Sequence, residues 1–491
     1  MKKRGKRKSK KNPETFPNKI ALTIVASLII AAFFLRWAGI NRDHQFTFDE
    51  SVYQELGYQL YKEPSNYSPI SVYLKLRELG RNAPEYLNQP LFKHPPLFSY
   101  LIASSISLLG VSVRSSYIVP VLFGALSLWI IFLIGRACYD RKTALIAALL
   151  LFFDPLFWIC SEKIWLGTTQ TFFLLSTLYL FLKGLNKSTY FLVSGICLGL
   201  ALLTKYTSLL MIPTLFIFAI ASRGKLSRNK YFWSLWASAL VIFSPWLIWY
   251  YQVYGGFAGL ESAGVKGIVI LQLLRNLRNS LFWVIPSLAI IFALGWMLSY
   301  FLQKSNREKI IAGVKANKNY KTIIWLTAIP AAVAISLLSI RFYPFIKQVL
   351  SPSNLPEIGW ERGLFSAEPI WFYFKRLPRF SPFYLIAFLG LAKVGSRDQK
   401  ERLLAIYCLV ILIFHSWWGN YQSRYIITVI PVLLLLCADL LIKGWRIISQ
   451  ISHRNKKIYL RLIYGGIILY FALKTIIVAI NISFPNSGCY F

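Results

Sequence analysis

Long apolar stretches recur along almost the whole chain, and clusters of Lys and Arg punctuate them. Such a stretch folds as a helix in lipid, because hydrocarbon offers the backbone no hydrogen-bond partner outside its own segment. About 20 apolar residues suffice to cross the bilayer. Of 491 residues, 56% are hydrophobic and 15% charged, and the mean hydropathy is +0.51. A water-soluble chain could not hide that much apolar surface. The expected fold is all-α, a polytopic bundle of transmembrane helices.

The net charge of +36 comes from 55 Lys and Arg against 19 Asp and Glu. In a soluble domain this would point to nucleic acid. Here the cations lie between apolar runs, so they read as topology signals and no nucleic-acid partner is expected. Cys138, Cys160, Cys197, Cys408, Cys437 and Cys489 show no metal-ligand or CxxC spacing. They read as small buried hydrophobes.

Residues 1–19 form a basic tail, which the positive-inside rule places in the cytoplasm. No small-residue cleavage site follows the first apolar run, so that run is expected to remain as a span. Thirteen spans are expected, at 20–40, 117–138, 143–160, 165–182, 190–203, 207–221, 231–251, 281–302, 322–342, 381–394, 403–418, 425–442 and 458–480. In this threading every alternate loop carries a basic cluster, which checks the count, and 20–480 forms one continuous domain. The long loops 41–95 and 343–380 and the tail 481–491 fall on the external side. Residues 97–109 are apolar but short and read as an interfacial helix. Loop 41–95 holds Asp43, Asp49, Glu50, Glu55, Glu63, Glu78 and Glu85, about a third of all the acids.

Four groups could carry chemistry. Phe48-Asp49-Glu50-Ser51, with Tyr53 close behind, sets adjacent carboxylates among aromatics at a membrane surface. A carboxylate there can act as a general base. Thr47 with two acids after it is also an ordinary helix start, and both readings hold together. Lys93-His94-Pro95-Pro96 fixes a cation and an imidazole where prolines begin a helix; a plain loop-to-helix turn is the alternative. Lys205, between two short spans, is a cation on the external side, against the charge rule; snorkelling is the plain alternative. Arg424 follows an aromatic run and suits bidentate phosphate contact, while the aromatics alone would suit an interfacial belt. The threading brings all four groups to one face.

In these motifs the chain resembles the GT-C class of membrane glycosyltransferases. The relatives in question are the protein O-mannosyltransferases and the lipid A aminoarabinose transferase, which are phospholipid carrier-dependent. The resemblance rests on FDES at 48–51, HPPL at 94–97, LTKYTSLL at 203–210 and SRYIITVIPVLLLL at 423–436. EPIWFYFKRLPRFSPFYLIAFLGL at 368–391 also resembles the family's amphipathic stretch before a late span. The resemblance implies a hexosyl- or pentosyltransferase with a polyprenyl-phosphate sugar donor and inverting transfer on the external face. The acceptor would be a lipid, a glycan or a protein. It implies Asp49 as the catalytic acid residue of the first loop and Glu50 as its pair. It matches His94 to the family's HPP and Lys205 and Arg424 to basic positions near the carrier phosphate; Lys93 and Tyr53 are further candidates for contact with the donor. One position departs from the family: the acid usual before a Phe-Phe pair is Gly167 when aligned on Phe172-Phe173, and Glu162 is the nearby substitute.

No cofactor is expected to be required. Asp49 and Glu50 would be the place for a divalent metal, but no ligand set is visible. The expected location is a prokaryotic plasma membrane. A flippase or transporter of lipid-linked sugars would share the spans and the headgroup cations. Transporters, however, more often place charges at mid-membrane in broken helices.

Overall fold

The computed structural model describes residues 17–40, 47–88, 90–222, 226, 228–254, 372–396, 398–417 and 421–483. Among them the regular elements are α- and 3-10 helices, with no strand. The expected spans 281–302 and 322–342 lie outside the described residues. So do most of loop 343–380, nearly all of the basic tail and most of the C-terminal tail.

Helix α1 (Asn18–Gly39) turns Ala21, Val25, Ala32 and Arg36 inward and leaves Ile30, Phe34 and Leu35 outside. An apolar outer face of this kind suits lipid, not water. The acid-rich loop then folds into helices. α2 (Phe48–Lys62) starts with a capping box: Thr47 and Glu50 satisfy each other's backbone N–H groups. The short α3 (Ile70–Glu78) buries no residue. After the paired prolines comes α4 (Leu97–Leu109), which packs Phe98, Ile102 and Ile106 inward and exposes Leu108 and Leu109.

The bundle continues with α5 (Val113–Cys138), capped by Ser112, and α6 (Arg141–Phe152), capped by Asp140. The span expected at 143–160 is not straight. α6 meets α7 (Pro155–Ser161) at 62°. Asp154 makes the break: its Oδ1 accepts the Phe157 N–H at 2.8 Å, Pro155 takes the first helical position, and Tyr384 donates to Oδ2 at 2.7 Å. Next come α8 (Gly167–Gly184), α9 (Tyr190–Thr204), α10 (Met211–Ala221) and α11 (Lys230–Tyr254). The later half supplies α12 (Phe372–Phe380), α13 (Phe383–Gly390), α14 (Gln399–Trp417), α15 (Ile430–Ser449) and α16 (Arg454–Ser483).

Five of the described helical segments are long and apolar enough to cross a membrane alone, and a sixth if the bent pair is one span. α4, α9, α10 and α13 are shorter apolar helices.

Two contacts fix the frame. At one end, Lys393 meets Asp439, Glu401 (3.2 Å) and the Tyr139 hydroxyl (3.0 Å), while Lys443 meets Asp439 (2.8 Å) and Glu401 (3.3 Å). Buried charges are tolerated when paired this fully. Elsewhere α9 lies directly on α11. A Cβ at Gly195 would stand 2.0 Å from the Leu235 carbonyl oxygen, and one at Gly199 would stand 2.6 Å from Ile242. Small residues one turn apart let two helices touch where lipid gives them no hydrophobic reason to associate. Gly195→Val should therefore force α9 and α11 apart and destabilise the protein by about 1–3 kcal/mol or more. A fall in the thermal unfolding midpoint of the purified protein would register this; an unchanged midpoint would contradict the close approach.

Candidate active site

Asp49 stands in the first turn of α2, where the helix end favours a negative charge. Its Oδ2 lies 2.7 Å from Nη2 of Arg424, a residue 375 positions later in the chain. The Asp49 side chain remains 36% exposed, so the pair is reachable from outside. Burial acts to raise the Asp49 carboxyl, but the Arg424 guanidinium, with Lys93 behind it, reverses the sign and holds it below the usual carboxylate range.

Arg424 belongs to a 3-10 segment, Ser423–Val429, that leads into α15. Three contacts orient it. Its Nε donates to Gln422 Oε1 at 2.7 Å, its guanidinium sits 4.4 Å over the Trp165 ring, and Tyr425 lies at 5.6 Å. Trp165 is itself held, because its Nε1 donates to Thr47 Oγ1 at 3.2 Å. The cap of α2 and the cradle of Arg424 thus share a residue.

Lys205 follows α9, and its Nζ lies 4.9 Å from the Tyr425 ring. Burial, then the nearby Arg424 charge, pushes its ammonium down to about 8. His94 faces the same space. Its ring contacts Tyr53 at 5.7 Å, and enclosure with the Lys93 and Lys205 charges pushes it down to about 3, so it is neutral in ordinary buffers. The loop that carries it is pinned: Tyr67 donates to the His94 carbonyl at 3.1 Å, and Tyr206 donates to the Phe92 carbonyl at 2.9 Å. Trp246 on α11 in turn donates to the Tyr206 hydroxyl at 2.8 Å. Tyr53 is buried one turn after Asp49, and burial raises its phenol well above the ordinary value.

The structure therefore gathers Asp49, Arg424, Lys93, His94, Lys205 and Tyr53 in one neighbourhood. Two expected residues stand differently. Glu50 is fully buried and points into the bundle. Its Oε2 accepts from Thr47 N and Oγ1, both at 2.9 Å, while its Oε1 accepts from Ile164 N at 3.1 Å and Tyr117 Oη at 3.3 Å. Burial raises its carboxyl and these hydrogen bonds oppose the rise. Glu50, expected as the pair of Asp49, is thus a knot joining α2, α5 and the α7–α8 loop. Glu162 is buried too. It accepts from Trp158 Nε1 at 2.6 Å, lies against Gly39 at the end of α1, and acts on the Arg36 charge. Gly167, at the position of the usual acid, opens α8 with Ile427 of the Arg424 segment so near that a Cβ would stand 3.0 Å from it. Among the described residues no group of three or more His, Cys, Asp or Glu side chains could hold a metal ion.

Sequence reasoning missed Trp165, Tyr425 and His415. Tyr425 stood inside the motif at 423–436, and His415 carried a signal as a histidine inside an apolar run.

Several comparisons with known proteins bear on this arrangement. Residues 93–249 match the family model for dolichyl-phosphate-mannose-protein mannosyltransferase. Compared by sequence, no curated protein matches the chain. The fold is similar to that of ArnT from Cupriavidus metallidurans bound to undecaprenyl phosphate, with a TM-score of 0.53 and 12% identity over 95% of this chain and 76% of that one. It is also similar to the apo oligosaccharyltransferase of Archaeoglobus fulgidus, with a TM-score of 0.57 and 16% identity over 96% of this chain and 57% of that one. The oligosaccharyltransferase AglB of the same organism, in complex with an inhibitory peptide and a dolichol-phosphate, gives a TM-score of 0.53 at 17% identity, over 94% and 56% of the two chains. This chain spans little more than half the length of those archaeal enzymes. The fold is that of the GT-C class of membrane glycosyltransferases.

Removing the knot should be costly. Glu50→Ala leaves two N–H groups, that of Ile164 buried, and two hydroxyls without their acceptor, so stability should fall by about 2–4 kcal/mol. Thermal unfolding of the purified variant checks this, and a midpoint equal to the parent's would overturn the structural part given to Glu50.

Proposed function

We propose that this chain is a glycosyltransferase that moves a sugar from a polyprenyl-phosphate donor to an acceptor hydroxyl. The observation that carries the reading is the Asp49–Arg424 pair: an accessible carboxylate and a phosphate-matched guanidinium 2.7 Å apart, with Lys205 beside them. The GT-C fold and the match of 93–249 to a mannosyltransferase family support it. Two relatives of this fold bind undecaprenyl phosphate or a dolichol-phosphate, which is the donor chemistry proposed here.

The proposed step is an in-line displacement. The acceptor oxygen attacks the anomeric carbon, its proton passes to an Asp49 oxygen, and the bond from that carbon to the phosphate oxygen breaks. The electron pair leaves with the lipid phosphate, already a stable anion, so cations serve it better than an acid would. Attack from the face opposite the phosphate inverts the anomeric centre. Arg424 has two competing anions, Asp49 and the phosphate. While it holds Asp49 the carboxylate is a weak base. When the donor phosphate draws the guanidinium away, Asp49 loses its counter-charge and its basicity rises as the substrate arrives. Lys205 holds the phosphate as a point charge, and His94 and Tyr53 wall the site as neutral groups. The reaction would take place on the face that carries loop 41–95, expected to be the external face of a prokaryotic plasma membrane. With Gly167 where an acid is usual, the acceptor side is set differently from that of the mannosyltransferases.

Asp49→Asn should lower transfer about 10²–10⁴-fold while leaving expression and membrane insertion intact. Purified protein with labelled polyprenyl-phosphate sugars measures it, and full activity in the variant would sink the assignment. The same assay reveals a transporter if the lipid-linked sugar moves with no chemical transfer. The pH dependence follows from Lys205. Its charge is present below about pH 8 and lost above, so kcat/KM for the donor should fall on the alkaline side of that value. Lys205→Arg, which does not titrate in this range, should flatten that limb.

A further inference from the structure

His415 sits near the end of α14, buried to 3% exposure, and its Nδ1 has no hydrogen-bond partner among the described residues. Its ring lies 6.1 Å from Tyr425 at an interplanar angle of 31°. The same Tyr425 ring has Lys205 Nζ at 4.9 Å and the Arg424 guanidinium at 5.6 Å. Among the described residues, Lys205 is the charged group that acts on the imidazole. Three nitrogen-bearing side chains from α14, the α9 exit and the 3-10 segment before α15 therefore surround one phenol. Two of them are already the phosphate-side cations of the proposed reaction. Leaving a buried polar atom unpaired is costly, and native structures do so where a ligand or water completes the site.

We propose that the His415 Nδ1–H is a third donor to the phosphate of the lipid carrier, completing the Lys205–Arg424 cradle. This rests on the glycosyltransferase reading of the site. The imidazole adds a directional hydrogen bond to two charges that by themselves attract any anion. It also approaches from the α14 side, which neither cation covers.

The test is equilibrium binding of undecaprenyl phosphate to the full-length purified protein in lipid nanodiscs, with the thermal unfolding midpoint measured alongside. His415→Phe keeps an aromatic ring against Tyr425 and removes both nitrogens, so the dissociation constant should rise about tenfold or more. His415→Asn places an amide N–H where Nδ1 stands and should restore most of the affinity. His415→Gln reaches the Nε2 position and should not. If His415→Phe does not fold, the Asn and Gln variants alone decide the matter. Equal affinity in those two, or wild-type affinity in His415→Phe, overturns the Nδ1 contact. Lys205→Ala and Arg424→Ala separate the two levels. If they lose binding while His415→Phe keeps it, only this contact fails; if they too bind as the parent does, the phosphate site itself fails.

Discussion

The side of the bundle that carries Asp49 depends on a carboxylate that never meets solvent. Glu50 takes hydrogen bonds from the α2 cap, from Tyr117 on α5 and from the Ile164 N–H before α8. An acid buried this deeply would be expensive alone, and its four donors are what make it tolerable. Because Asp49 is its neighbour on the same helical turn, fixing Glu50 fixes where Asp49 points. The adjacent pair therefore divides its labour. One carboxylate is consumed in holding the helix start, which leaves the other on the outer side of that turn, accessible and opposed to Arg424. Trp165 closes the loop, bonded to Thr47 and stacked beneath the guanidinium.

The comparisons fall unevenly on this site. The family match covers 93–249, which includes Lys93, His94 and Lys205 but neither Asp49 nor Arg424. The structural similarity runs through nearly the whole chain at identities of 12–17%. Fold persists at that distance because lipid restricts the backbone to helices whatever their sequence. Chemistry has to be argued from side chains, and in this molecule the convergence of Asp49, Lys205 and Arg424 is that argument.

Much of the architecture was legible because it follows from periodic burial and charge. The apolar runs outside 255–371 became helices, and the paired prolines did open α4. The reading of Thr47 as a cap with Asp49 and Glu50 in the first turn was equally legible, since it needs only the local geometry of one turn. What sequence could not separate was Glu50 from Asp49, because the donors to the second oxygen of Glu50 come from residues 117 and 164. The straight span expected at 143–160 hid a bend, although Asp154-Pro155 was there to announce a new helix start. Glu162 was expected as the substitute for the missing acid, and the tertiary fold sets it beside Arg36 of α1. Pairings made so far along the chain leave no local trace.

The ion cluster at the end of the bundle away from Asp49 bears on how the later helices are held together. Asp439 and Lys443 are one turn apart on α15, and Lys393 and Glu401 flank the short connection between α13 and α14. Each segment thus carries its own counter-ion before it meets the other. The local counter-ion offsets part of the cost of desolvating each charge. Where the segments meet, Lys393 gains Asp439 and Lys443 gains Glu401, and two local pairs become a single four-membered lattice. Loss of one acid would leave the buried Lys393 short of a counter-charge, so the four groups hold α15 to the α13–α14 connection as a unit.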